Sequence, residues 1–126
     1  MSVDQNSFIN ENLPRSIAHY LTAGSHRDLY LEWLRGMRDV RAKVAVIRRV
    51  GQLERGLFGD HKFCRDGVWE LRVDVGQGYR IYYARPGSMV LLLGGGTKRS
   101  QPADIERAVT AWTDWQRRTD DEKQTP

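Results

Sequence analysis

The first pattern along this chain is a short alternation of side chains. Over Ser16 to Thr22, Ile17, His19 and Leu21 alternate with Ala18 and Tyr20, which predicts a short strand. Ala23-Gly24-Ser25 then reads as a turn, with Ser25 or Asp28 able to cap a helix. The period changes there. Leu29, Tyr30, Trp33, Leu34 and Met37 fall at helical spacing and predict a helix over Asp28 to Met37. A second helix is predicted from Val40 to Arg55, ended by Gly56. It carries two apolar strips, Ala42/Val46/Val50/Leu53 and Val40/Val44/Ile47/Gly51, on roughly opposite sides. One strip can pack on a sheet, and the other needs a different cover.

Period two returns after the second helix. His61 to Arg65 and Val68 to Val75 flank Asp66-Gly67, a strong hairpin signal. Trp69, Leu71, Val73 and Val75 then share one face, and Glu70, Arg72 and Asp74 the other. Tyr79 to Arg85 alternates in the same way, after a turn at Gly76-Gln77-Gly78. Met89 to Leu93 is apolar on both faces and predicts a fully covered strand. Asp104 is expected to cap a last helix running to about Arg118, with Ile105, Ala108, Val109 and Trp112 on its apolar face. The class is therefore α+β: an antiparallel meander sheet with two N-terminal helices and a C-terminal helix. One domain, residues 16–118, is expected between a flexible polar leader, 1–15, and a polar tail, 119–126.

The 126 residues suffice for one domain, and the aromatic content allows a modest core without disulfides or metal. Charge adds a location. The net charge is +4, and nine Lys/Arg against three Asp/Glu lie between Arg35 and Arg65. The excess positive charge thus sits mid-chain, which suits a polyanionic partner. A single cysteine, Cys64, makes an internal disulfide impossible, in keeping with a reducing cytoplasm. Its strand position suits a small core residue better than a nucleophile. The polar N-terminus lacks the apolar run of a signal peptide, and no stretch is apolar for long enough to span a membrane.

The candidate chemistry lies on the polar face of the meander. Arg72 and Arg80 share it, and two guanidiniums there can grip phosphate oxygens. The spacing equally allows both to pair with Glu70 and Asp74. Gly94-Gly95-Gly96-Thr97-Lys98 is not a P-loop, since Thr precedes the lysine and Ser100-Gln101-Pro102 follows. The glycines are read as letting the chain leave the sheet sharply, holding Lys98 and Arg99 near its rim. His19, His26 and His61 have no metal-ligand spacing with one another or with Cys64, so no metal or cofactor is expected. His61 is the histidine read as reaching the Arg72/Arg80 face.

These residues resemble a known family. Glu70-Leu71-Arg72, Gly76-Gln77-Gly78-Tyr79-Arg80-Ile81-Tyr82-Tyr83 and Gly94-Gly95-Gly96-Thr97-Lys98-Arg99-Ser100-Gln101, followed by Asp104-Ile105, look like the addiction-module killer proteins. That family is a HigB-like branch of the RelE/ParE toxin superfamily. Trp33-Leu34, the run Arg41 to Leu53, and Gly56-Leu57-Phe58-Gly59-Asp60 fit the same pattern, so the similarity spans about Ser16 to Trp115.

The resemblance implies a RelE-like toxin fold and a type II toxin: a metal-independent, ribosome-dependent mRNA interferase that stops translation. It implies as partners mRNA, the ribosome and a cognate HigA-like helix-turn-helix antitoxin, with operator DNA met only through the antitoxin complex. By position, Arg72 and Arg80 match basic residues of the RelE active site, and Lys98 or Arg99 falls at or beside a further one. Tyr82 and His61 are the candidate proton acceptors, and Lys62, Arg65 and Arg99 the further RNA-binding residues. Two departures bear on the chemistry. Glu70 stands where RelE has a lysine, and Asp104-Ile105 lies near a catalytic tyrosine. The alternatives are a ParE-like gyrase inhibitor of the same fold and a catalytically inactive binding module.

Overall fold

The computed structural model describes residues 13–124. Five strands and four helices follow in the order β1 (Ser16–His19), α1 (Leu29–Gly36), α2 (Val40–Glu54), β2 (His61–Arg65), β3 (Val68–Val73), β4 (Tyr79–Ala84), β5 (Met89–Thr97), α3 (Gln101–Arg117) and α4 (Asp120–Gln124). The class is α+β. Most of the expected leader, residues 1–12, lies outside the described residues. Arg15 is buried, and its backbone N–H donates to the Glu54 carbonyl at 2.9 Å.

Local chemistry fixes the helix ends. Asp28 caps α1 by accepting from the Leu31 N–H at 2.9 Å, and Asp39 caps α2 by accepting from Ala42 N–H at 3.1 Å. At the other end of α2, Gly56 has φ +82°. Its N–H donates to Leu53 and that of Leu57 to Gln52, the paired bonds of a Schellman turn. A side chain at Gly56 would also strike the Leu13 carbonyl.

The sheet order is β1-β5-β4-β3-β2. Strands β2 to β5 form the expected antiparallel meander, turning at Asp66 (φ 51°) and Gly67 (φ 83°), the left-handed pair a tight hairpin needs. The sheet as a whole is mixed, which corrects the all-antiparallel expectation. β1 joins parallel to β5, Ser16 opposite Met89 and His19 opposite Leu92. Alternation along β1 says which face each side chain takes, but not which neighbour or direction it pairs with. Since the rest of the meander separates β1 from β5, no turn dictates the direction.

Both faces are covered. On one, Tyr30, Leu34, Ala42, Val46 and Leu53 of α1 and α2 pack on Leu71, Val73, Ile81, Tyr83, Val90 and Leu92. On the other, Ala108 and Ala111 of α3 pack on Val68, Tyr82, Ala84, Leu91 and Leu93. β5 is apolar on both sides because it lies between these layers. The strip of α2 facing the sheet is the Ala42/Val46/Leu53 one; Val40, Val44 and Ile47 are left exposed. Among the described residues no helix is long and apolar enough to cross a membrane.

Three expectations need correction. Gly94 to Gly96 do not leave the sheet: they pair with Tyr82, Ile81 and Arg80, and β5 runs on to Thr97. The missing side chains admit neighbours on alternate faces. A Cβ on Gly95 would overlap the Trp33 indole, and one on Gly96 would overlap the Asp104 carboxylate. Gly95→Ala must push the indole off the sheet, and an overpacking cost of about 1–3 kcal/mol is expected in urea unfolding. Second, α3 starts at Gln101 after Ser100, with Pro102 in its first turn where proline is tolerated. Asp104 therefore lies inside the helix, buried, accepting from Ser100 and Arg107 rather than capping. Third, part of the expected polar tail is helical, α4.

Candidate functional site

The parity of β3 and β4 sets the site. Arg72 lies directly opposite Arg80, and Glu70 opposite Tyr82, all on the α3 face. Two facing guanidiniums repel unless a counter-charge lies between them. Glu70 supplies it. One of its oxygens accepts from Arg72 Nε at 2.9 Å and from Arg80 Nη1 at 2.8 Å. The other accepts from Gln101 Nε2 at 2.8 Å and from the Cys64 thiol at 3.4 Å. The Glu70 side chain is 1% exposed, against 36% for Arg72 and 13% for Arg80. Burial alone would raise its pKa, but the Arg72 hydrogen bond and the Arg80 charge outweigh burial and hold it below the ordinary carboxylate range. The pairing with Glu70 that the spacing allowed is thus present. It orients both guanidiniums and leaves Arg72 facing solvent in part.

At the end of the sheet where β3 turns into β4, a cleft of about 310 Å³ opens, lined by Arg72, Arg80, Lys98, Asp60, Asp74 and the Gly76–Arg80 turn and strand. Lys98 follows the last residue of β5 and so reaches this rim, as expected, although the glycines act differently. The three cations named from sequence are therefore together. Arg49, from α2, ties the segment before β2 to β3: it donates to the carbonyls of Arg72, Phe58 and Asp60 at 3.1, 2.9 and 3.1 Å.

The other expected residues divide. Lys62 lies opposite Glu70 on the same face and is exposed. Arg99 is exposed in the turn beyond Lys98. Arg65 is engaged with Asp66 at 2.6 Å and with Glu106 of α3 at 2.5 Å, which ties the hairpin to the helix. Tyr82 shares the face of Glu70 but is fully buried beneath α3, and its hydroxyl has no hydrogen-bond partner among the described residues. Burial, with the charges of Asp104 and Glu70, pushes its ionisation far above the ordinary tyrosine range. His61 lies on the opposite face. It sits opposite Leu71, stacks on Trp69 at 5.4 Å and contacts the Tyr83 hydroxyl at 3.0 Å. Neither of these two reaches the cleft.

The cause of the His61 placement is a bulge. Straight pairing from Arg65 opposite Val68 would have set His61 opposite Arg72. The register shifts between Phe63 and Arg65, and one residue of slip moves His61 through the sheet. The residues that sequence reading left out are Gln101, Asp60 and Arg49. Gln101 closes the run Gly94 to Gln101 that carries the family resemblance, and its reach to Glu70 gives that spacing a physical meaning.

Cys64 serves this network as a donor. Burial first, and then the charge of Glu70, push its thiol up to about 12. Native protein at pH 8 is expected to react with iodoacetamide at least about tenfold more slowly than unfolded protein, followed by mass spectrometry. Among the described residues no three His, Cys, Asp or Glu side chains converge as a metal site would require.

Fold and site together define an α+β domain with an arginine pair, locked by a buried carboxylate, at the mouth of a basic cleft. No family model matches the chain. It is 46% identical over 77 residues to an uncharacterized protein of Haemophilus influenzae, a match covering 60% of this chain and 78% of that protein. The chain belongs to the same family as that protein.

Proposed function

We infer that this domain is the toxin of a type II toxin–antitoxin pair, of RelE-like fold and HigB-like type, and that it cuts mRNA on the ribosome. The observation that carries this reading is the convergence of Arg72, Arg80 and Lys98 on one open cleft, with Glu70 fixing the first two. In RNA cleavage of this kind the 2′-OH attacks the adjacent phosphodiester, and negative charge grows on the phosphoryl oxygens. Cations already held in place stabilise that charge without reorganising. Arg72 and Arg80 take this part, and Lys98 gives a proton to the departing 5′-oxygen.

The antitoxin has a place to bind. Val40, Val44 and Ile47 on the outer side of α2 are 70%, 42% and 52% exposed, and Leu57 beyond the helix is 53% exposed. An apolar strip of this kind suits a protein partner. Arg41 and Arg48 beside it favour an acidic segment of the antitoxin.

The test in cells is induced expression with amino-acid incorporation followed in parallel with DNA integrity. Incorporation is expected to stop within minutes while DNA stays intact, and co-expression of the helix-turn-helix partner should restore it. DNA damage with translation continuing would favour gyrase inhibition instead.

A further inference from the structure

The cleft holds two carboxylates, Asp60 and Asp74, that the reaction above leaves without a part. We propose that Asp60 is the group that takes the proton from the attacking 2′-OH, an assignment that rests on the ribonuclease reading.

The acceptors expected from sequence do not reach the cleft, since His61 is on the far face and Tyr82 is sealed under α3. Glu70 is closed as well: both oxygens are engaged, by four donors in all, and its side chain is 1% exposed. The arginines and Lys98 are donors. Asp60 remains. Its side chain is 61% exposed, its Oδ1 lies 3.7 Å from Arg72 Nη1, and it lines the cleft together with Arg80 and Lys98. It is also held. The Arg72 N–H donates to its carbonyl at 2.9 Å and Arg49 Nη2 at 3.1 Å, so its backbone moves with the strand that carries the clamp. Asp74 lines the same cleft without such attachments among the described residues.

The step balances. The 2′-OH proton passes to the Asp60 carboxylate as the 2′-oxygen bonds to phosphorus. The bond from phosphorus to the 5′-oxygen breaks, and that oxygen takes a proton from the Lys98 ammonium. The products are a 2′,3′-cyclic phosphate and a 5′-hydroxyl end. A carboxylate beside Arg72 and a lysine on the rim thus place acceptor and donor in one cleft around the phosphate that the arginines hold.

The test is single-turnover cleavage of mRNA on programmed ribosomes by purified wild type, Asp60→Asn, Asp60→Glu, Asp74→Asn, Arg72→Ala and the Arg72→Ala/Asp60→Asn double variant, each shown folded by thermal melting. Asp60→Asn is expected to lose about 100-fold or more in rate, with Asp60→Glu recovering part of it. In the Arg72→Ala background the same change should again lower the rate, because a proton acceptor acts apart from the arginine it touches. A rate within about threefold of wild type, no further loss in the double variant, or the loss appearing in Asp74→Asn instead would overturn the assignment. If wild type itself cuts no RNA, the ribonuclease reading falls and the assignment falls with it. If wild type cuts and Asp60→Asn cuts equally well, only the assignment falls.

Discussion

Glu70→Ala is expected to cost the domain about 3–5 kcal/mol of folding stability, because it removes the carboxylate between two guanidiniums and leaves them facing each other. The substitution also strands the Gln101 amide and the Cys64 thiol, which lose their acceptor. A fall in Tm of roughly 10–20 °C should follow. Glu70→Gln keeps the shape and one acceptor oxygen and should lose less. The pH dependence has a definite sign. Because the folded state holds the Glu70 pKa below its ordinary value, the stabilisation is complete above the unfolded carboxylate range. It is lost as pH falls through the lowered folded value. Urea unfolding across that acidic window should therefore show stability declining with acid in wild type, with a shallower decline in Glu70→Gln. An unchanged slope would mean that Glu70 is not the titrating group.

The second large effect is on activity. Arg80→Ala should lower RNA cleavage by about 10²–10³-fold, the usual consequence of deleting one preorganised donor from a site where negative charge develops. Glu70 would retain Arg72, Gln101 and Cys64 as donors, so the fold should survive, with a modest fall in Tm. Arg80→Lys should recover little, since one ammonium cannot meet both the Glu70 oxygen and a phosphate with the geometry of a guanidinium. Loss of cleavage with normal melting and normal ribosome binding would place Arg80 in the chemistry. Equal loss of binding would place it in recognition only.

Much of this was legible in the chain. The meander follows from period-two alternation and from Asp66-Gly67, whose φ values of 51° and 83° are those of the hairpin turn that dipeptide favours. The covered position of β5 follows from its apolar residues on both faces. That Arg72 and Arg80 share a face follows from parity, since the strands pair Trp69 with Tyr83 and Leu71 with Ile81 around them. What could not be read has physical reasons. Parallel pairing of β1 leaves no trace in its own alternation. Three consecutive glycines signal a turn in most sequences, but here they are a strand thinned for Trp33 and Asp104. The bulge near Cys64 carries no glycine or proline to mark it, and it alone puts His61 on the face of the sheet away from Arg72 and Arg80. The role of Glu70 lies in side-chain geometry, because spacing shows which charges share a face but not how they meet.

The most direct measurement for the central claim is a cell-free translation reaction with added purified protein, in which mRNA 5′ ends are mapped before and after addition. The account predicts new internal ends bearing 5′-hydroxyls, appearing on translated mRNA with wild type and absent with Arg80→Ala. Intact mRNA in the presence of folded wild-type protein would contradict it.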